Sequence, residues 1–175
     1  MKTLAKAEAN QTLQRFLDEA KIEAFKVEVL QDYSAIDKSP SLDAWLAGDH
    51  QKSIDIIKQD GPNQWAKDYG AKPIKKTRLH IVDEPHTPYI DWEIEIYKLI
   101  LIPHAGEDIR LVPSSKVADL NVPDGDFWIV DNKRVVGFHY RDGLVYAGDV
   151  YDEIDDISRF LELKTALLNL AQPIV

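Results

Sequence analysis

The sequence predicts an α/β protein: a layered α/β sandwich in which helices cover a mixed β-sheet. Helical patterns separate the early strands, which is typical of parallel strands joined by crossover connections. The later strands follow one another through short turns, which is typical of antiparallel hairpins. The chain has 175 residues, of which 45% are hydrophobic, and it can therefore bury one sizeable core. We expect a single α/β domain over residues 1–175.

Two strands and several short helices are predicted in the first part of the chain. Thr3 can cap a helix that extends to about Ala24, and "AFKVEVL" then alternates apolar and charged residues as a half-buried strand does. Three short helical patterns follow: "SLDAWLAGD", with Ser41 as its cap, "QKSIDIIKQDG" and "GPNQWAKDYG". The second strand, "IKKTRLHIVDEP", ends at Pro85 because proline cannot donate to a β-ladder.

The middle of the chain predicts a longer helix and a third strand. Thr87 can cap the helix "HTPYIDWEIEIYKLILI", and Pro88 suits its first turn. Pro103 and Gly106 are expected to end this helix. Residues 108–112 then read as an extended, largely apolar strand.

The last part of the chain predicts an antiparallel meander and a closing helix. The segment "DFWIVDNKRVVGFHYRDGLVYAGDV" contains two turn signals, Asp131-Asn132 and Asp142-Gly143, each flanked by strand-forming residues. Apolar residues then recur at helical spacing over about residues 155–170.

The composition argues against several classes of function. The formal net charge of −9 repels phosphate backbones and anionic lipids, so we expect no direct nucleic-acid binding and no membrane partner. The basic segment "KPIKKTR" is interpreted as the solvated face of a strand. Without cysteine there is no disulfide, thiolate zinc site or thiol nucleophile. The apolar run at residues 99–103 is too short to span a membrane and the first residues lack a signal-peptide pattern, so a cytoplasmic location is predicted.

The stretch "PHAGEDIRLVP" concentrates polar side chains just before a predicted strand. His104, Glu107 and Asp108 are candidate metal ligands or an acid–base set. The interpretation we favour is that Gly106 ends the helix and that Glu107 forms an ion pair with Arg110 to fix the turn. The five histidines of the chain are scattered and show no metal-ligand spacing. We therefore predict neither a metal nor a cofactor.

Aromatic side chains offer a candidate ligand pocket near Tyr89, Trp92, Arg110 and Trp128. Trp92 either packs under a neighbouring helix or faces a groove. The acidic run "GDVYDEIDDIS" lacks the glycine and the terminal glutamate of a calcium loop and suits a helix N-terminus. The chain contains no glycine-rich phosphate loop and no G-x-S-x-G elbow.

Three segments, "RLHIVDEPHTPYIDWE", "AGEDIRLV" and "DFWIVDNKRVVGFHY", resemble the Domain of Unknown Function 6879 family of actinobacteria. The resemblance extends over nearly the whole chain and is most specific in "AGEDIR". At Leu79-His80 the family more often has a second arginine, so an arginine pair with Arg78 is not carried over. The family has no assigned activity. Its members look to be encoded near helix-turn-helix regulators, which implies a regulatory role with a DNA-binding partner.

The C-terminal half is also similar to the sensor region of those regulators, and both resemble the phospholipase D-like fold. Catalytic members of that fold carry His-x-Lys-x4-Asp, followed one strand later by Gly-Ser. When their aspartate is aligned with Asp131, Asp124 and Asp126 stand in place of the histidine and the lysine. Gly137 falls about one place short, and Phe138 follows it. The resemblance implies this fold without its catalytic motif, because the nucleophile is replaced and carboxylates repel a phosphate.

Three hypotheses about function remain open. The first is a non-catalytic regulatory or protein-interaction domain that works with a helix-turn-helix transcriptional regulator. The second is a small-ligand sensor that uses the aromatic pocket. The third is an enzyme with a Glu/Asp/His site in "HAGEDIR". No catalytic residue is assigned, and the candidate ligand- or partner-binding residues are Arg78, Tyr89, Trp92, Glu107, Arg110, Trp128 and Asp131.

Overall fold

An eight-stranded mixed β-sheet forms the centre of the protein, with the strand order β1-β7-β6-β5-β2-β3-β4-β8. The computed structural model describes residues 1–174. The strands are β1 (Lys2–Ala5), β2 (Glu23–Glu28), β3 (Lys75–Val82), β4 (Asp108–Pro113), β5 (Phe127–Val130), β6 (Arg134–Arg141), β7 (Leu144–Tyr151) and β8 (Gln172–Pro173). The helices are α1 (Lys6–Glu19), α2 (Pro40–Leu46), α3 (His50–Asp60), α4 (Gln64–Gly70), α5 (Pro88–Ile96) and α6 (Ile154–Leu170).

Parallel and antiparallel pairing meet in the middle of this sheet. β2 pairs in parallel with β3, and β3 with β4, through helical crossovers. β5, β6 and β7 form an antiparallel meander, and β5 joins β2 in antiparallel fashion. The predicted α/β class and mixed sheet are therefore confirmed.

Helices cover both faces of the sheet. In β5, Trp128 packs into one hydrophobic cluster and Phe127 into the other, because successive strand side chains point to opposite faces. α6 covers the Phe127 face with Phe160 and Leu167. Helices α1 to α5 pack on the Trp128 face, where Ile90 is fully buried. Within the described residues, none of these helices combines the length and apolar character needed to cross a membrane.

The start of the chain differs from the prediction of one long first helix. Residues 2–5 form β1, which pairs with the exposed edge of β7. α1 ends at Glu19, well before Ala24, because the Asp131 carboxylate accepts hydrogen bonds from the backbone N–H groups of residues 21–23. These bonds turn the chain into β2.

Two helix boundaries show how local chemistry decides the structure. Thr87 caps α5 as predicted, and its hydroxyl accepts a hydrogen bond from the Ile90 N–H at 3.2 Å. α2 is capped by Ser39 rather than Ser41, because Pro40 occupies the first helical position.

The helical conformation does not stop at Pro103 as predicted. After α5 the chain continues as a π-helical segment, Tyr97–Ala105, which contains that proline and ends at Gly106. Proline donates no backbone hydrogen bond, and the wider π turn accommodates the gap. Gly106 ends the helix as predicted with a φ of 68°, a left-handed conformation that favours glycine.

Candidate ligand-binding site

Charged side chains lie side by side on β2 and β3, at the centre of the sheet. The parallel register places Lys26 beside Arg78 and Glu28 beside His80. All four point to the α1–α5 face, because they alternate with residues that pack under α6. Glu28, Arg78 and His80 are exposed by only 3%, 5% and 0%. Since a buried charge is costly unless it is paired, their partners define the site.

Arg78 binds two carboxylates. Its Nη1 donates to Glu28 Oε1 at 2.6 Å, while its Nε and Nη2 donate to the two oxygens of Glu107 at 2.5 and 3.0 Å. Lys26 also contacts Glu28. Burial alone would lower the pKa of Arg78, but Glu107 and Glu28 raise it well above its usual value. The interpretation of "KPIKKTR" as a solvated face is therefore wrong for Arg78 and for Lys76, which is also buried.

The predicted ion pair between Glu107 and Arg110 is wrong. Glu107 is buried immediately before β4 and reaches the neighbouring strand β3, where it binds Arg78. Arg110 instead donates from Nε and Nη2 to Asp108, two residues earlier, at 3.0 to 3.1 Å. Residues two apart share one face of a strand, so Asp108 is the nearer partner.

His80 connects β3 to α5 and its π-helical extension. Its Nε2 lies 2.8 Å from the Leu30 carbonyl oxygen, and its Nδ1 lies 3.0 Å from the Tyr97 hydroxyl. That hydroxyl donates to Glu28 Oε2 at 2.7 Å. Nδ1 also lies 3.1 Å from Glu93 Oε2. A buried histidine therefore sits between two carboxylates from different elements.

These carboxyl groups differ in how their pKa values move. Burial alone would raise the pKa of Glu28, but the neighbouring cations, Arg78 foremost, lower it. For Glu93, burial raises the pKa and outweighs the lowering effect of the nearby His80. Burial likewise raises the pKa of Asp126. Glu28 thus carries the firm negative charge, whereas the other two carboxyls take up protons more readily.

Asp126 closes the network on the side of the meander, just before β5. Its Oδ1 accepts hydrogen bonds from the Val29 N–H at 3.0 Å and the Tyr33 hydroxyl at 2.8 Å. Its Oδ2 accepts from the Tyr140 hydroxyl at 2.7 Å. These donors fix one orientation of a carboxyl group that is 3% exposed.

A cavity of about 330 Å³ opens above this network, within the size range of small-molecule sites. Glu28, Arg78 and Asp126 lie at its base, and Ile36 and Trp65 are exposed at its rim. The walls include Tyr33, Trp92, Glu93, Ile96, Tyr97 and Tyr140. We call this space the central cavity.

A second cavity, of about 280 Å³, lies beside Asp124 and Gly137. On its wall, His139 Nε2 lies 2.8 Å from Asp149 Oδ2, and the Thr3 hydroxyl donates to Asp149 Oδ1 at 2.6 Å. Burial alone would raise the pKa of Asp149, but the hydrogen bonds from Thr3 and His139 lower it. A carboxylate thus orients a half-exposed imidazole, an arrangement compatible with acid–base chemistry.

The structure brings some predicted binding residues together and separates others. Arg78 and Trp92 line the central cavity. Tyr89 and Trp128 are buried beneath it; the Tyr89 ring packs 5.4 Å from Trp92, and its hydroxyl donates to Asp37. Nothing in the sequence predicted Glu28, His80 and Glu93 as a group, and Asp126 stood out only through its alignment with the catalytic motif.

Asp131 has a structural task at the turn between β5 and β6. Its φ of 53° places it in the left-handed region that aspartate tolerates better than most residues. Burial alone would raise the pKa of Asp131, but the hydrogen bonds from the backbone N–H groups of residues 21–23 lower it. Its carboxylate therefore ties the α1–β2 connection to the meander and does not line the central cavity.

Comparison with known proteins identifies a family and a fold. The family model described as "Domain of unknown function (DUF6879)" matches residues 11–175. No curated protein matches the sequence.

Three solved structures share the fold at low sequence identity. TrmBL2, an archaeal chromatin protein with a novel mode of DNA binding, matches 98% of this chain with a TM-score of 0.53 and 12% identity. This chain spans about half, 52%, of TrmBL2. Nuc, a phospholipase D family member from Salmonella typhimurium, matches over 98% of this chain and 95% of its own, with a TM-score of 0.50 and 14% identity. NucT from Helicobacter pylori matches over 98% and 97%, with a TM-score of 0.52 and 9% identity. The predicted likeness to the phospholipase D-like fold is confirmed.

Proposed function

This chain belongs to the DUF6879 family of domains of unknown function, and we propose that it is a non-catalytic regulatory domain that binds a small polar ligand in the central cavity. The observation that carries this proposal is the position of Asp126. This residue aligns with the catalytic lysine of the phospholipase D-like motif, and it lies at the base of the central cavity. Asp124, which aligns with the catalytic histidine, lines the second cavity. The central cavity is therefore lined by a carboxyl group at the position that the resemblance assigns to the catalytic lysine.

The electrostatics of the central cavity favour a ligand that donates hydrogen bonds or carries positive charge. Its two cations, Lys26 and Arg78, are already paired with Glu28. Asp126 and Glu93 remain as further acidic groups in the lining. A phosphate anion would meet carboxylates where the catalytic fold offers histidine and lysine, so phosphodiester hydrolysis is disfavoured.

We further propose that this domain acts in the cytoplasm together with a helix-turn-helix regulator. The family resemblance supports this partnership, and so does the fold shared with the DNA-binding protein TrmBL2. The net charge of −9 favours contact with the regulator rather than with DNA. The partnership fails if tagged protein, gently purified from its native host, carries no such regulator in stoichiometric amount.

Of the three groups in the hypothesised enzyme site of "HAGEDIR", Glu107 is bound to Arg78 and Asp108 to Arg110, whereas His104 is exposed. A second candidate function, hydrolysis, instead rests on the oriented pair His139–Asp149 beside Asp124. The imidazole of this pair is half-exposed, and its Nδ1 makes no hydrogen bond to residues 1–174.

The two functions are separated by an assay with bis(p-nitrophenyl) phosphate. We expect the wild-type protein to release p-nitrophenol no faster than His139→Gln or buffer alone. Turnover by the wild type that His139→Gln loses, and that His50→Gln keeps, would establish an enzyme and overturn the non-catalytic proposal. His50 is the control because it lies on α3 and stacks on Trp45, outside the lining of both cavities.

A further inference from the structure

We propose that Glu28, His80 and Glu93 form a binding site for one divalent transition-metal ion of the Zn²⁺ class, at the base of the central cavity. One ligand atom from each residue can be chosen so that all three atoms lie within 4.8 Å of one another. The inference goes beyond the proposed ligand binding, because the ion would be held by protein groups whether or not an organic ligand occupies the cavity.

The orientation of His80 is the first argument. Its Nε2 faces the Leu30 carbonyl at 2.8 Å, so this nitrogen carries a proton and donates it. Nδ1 is then the atom directed towards the two carboxylates. Histidines that bind metals commonly donate the other ring N–H to a carbonyl or carboxylate, which fixes the ring and its tautomer.

The unsatisfied oxygen of Glu93 is the second, independent argument. Glu93 is 8% exposed, and its Oε2 is buried with no hydrogen-bond donor among the described residues. This oxygen lies 3.1 Å from His80 Nδ1, but without the geometry of a hydrogen bond. Buried polar atoms nearly always have a partner, and a cation between Nδ1 and Oε2 would supply one.

The distances suit a small ion. His80 Nδ1 lies 3.1 Å from Glu93 Oε2 and 3.9 Å from Glu28 Oε2. Ligand atoms about 2.1 Å from a tetrahedral zinc ion are separated by about 3.4 Å. The Tyr97 hydroxyl, 3.0 Å from Nδ1 and 2.7 Å from Glu28 Oε2, lies where it can move aside or contribute a further oxygen.

The surroundings orient the ligands and select the ion. Arg78 and Lys26 hold Glu28 by Oε1, which leaves Oε2 for the metal. Two carboxylates balance the charge of a divalent ion, and because every ligand must be deprotonated, the ion displaces any proton on Glu93 or on His80 Nδ1. Imidazole and burial favour Zn²⁺ over Mg²⁺ and Ca²⁺, which prefer oxygen ligands and, for Mg²⁺, retained waters.

Metal binding is tested on the full chain after removal of metal with a chelator. We expect one Zn²⁺ per chain after gel filtration, measured by elemental mass spectrometry, and a visible Co²⁺ absorption band typical of a four- or five-coordinate ion. Excess Mg²⁺ should not displace Zn²⁺. Less than one ion in ten chains, or a Co²⁺ spectrum equal to that of the hydrated ion, would overturn the site.

Glu93→Gln is the decisive variant, because it keeps the shape of the side chain and removes a metal-binding oxygen. We expect it to weaken Zn²⁺ binding by more than the roughly 10–100-fold that loss of an outer-shell partner costs. Glu95→Gln, on the same helix but outside the ligand set, should bind like the wild type. Equal affinity for Zn²⁺ in Glu93→Gln and Glu95→Gln would contradict the site. Glu28→Gln is a second variant that changes a proposed metal ligand. Because these experiments include no organic ligand, a failure to bind Zn²⁺ would leave the proposed binding of a small polar ligand unaffected.

Discussion

Arg78→Met is expected to destabilise the protein by about 3–5 kcal/mol, because it leaves Glu28 and Glu107 buried without their shared cation. Methionine preserves much of the apolar volume, so the loss reports the charge rather than a void. Urea unfolding followed by circular dichroism measures the change in the free energy of unfolding. Arg110→Met is the matched control: its partially exposed pair with Asp108 should be worth at most about 1 kcal/mol.

A double-mutant cycle shows whether the pairing causes this loss. Glu107→Gln removes one of the two carboxylates that Arg78→Met would leave stranded. We expect the double variant to be more stable than the sum of the single losses implies, with a coupling of about 1–3 kcal/mol. Effects that add within about 0.5 kcal/mol would show that Arg78 acts through packing alone.

Gly125→Ala is expected to destabilise the protein by about 3 kcal/mol, the upper end of the usual cost of overpacking, because the adjacent strand leaves no room for a side chain at this position. A Cβ atom there would lie 1.8 Å from the Phe138 carbonyl oxygen, a distance that requires the backbone to move. The neighbouring Asp126 carbonyl accepts a hydrogen bond from the Phe138 N–H at 2.8 Å, so β5 and β6 would separate beside the second cavity.

Gly137→Ala is the control for this prediction. It lies in β6, and a Cβ atom there would meet its nearest neighbours at 3.9 Å or more. We expect a change in stability of no more than about 1 kcal/mol. Comparable losses in both variants, measured by urea unfolding, would contradict the explanation from the close approach at Gly125.

The elements that the sequence predicted well are those governed by local chemistry. The turns at Asp131-Asn132 and Asp142-Gly143 require left-handed backbone, and all four residues have φ between 51° and 73°. The Thr87 cap and the Gly106 helix end are local in the same sense. β1 and β8 were not predicted because strands of four and two residues show too little alternation.

The site was harder to predict because its contacts join distant parts of the chain. Glu28 alternates with apolar residues, and that pattern resembles a solvated strand face as much as a buried network. What buries it is Arg78, 50 residues later and on the adjacent strand. In the sequence the arginine nearest to Glu107 is Arg110, but in the structure Glu107 binds Arg78. Only the parallel register of β2, β3 and β4 decides between them.

Native mass spectrometry of the protein purified from its own host shows whether the central cavity holds a small ligand. We expect wild-type protein to carry an additional small molecule that Ile36→Trp, at the exposed rim of the cavity, has lost. Ile154→Trp, a control at an 80% exposed position on α6, should retain it. Ligand-free masses for all three proteins, each equal to the mass of its own chain, would contradict ligand binding in the central cavity.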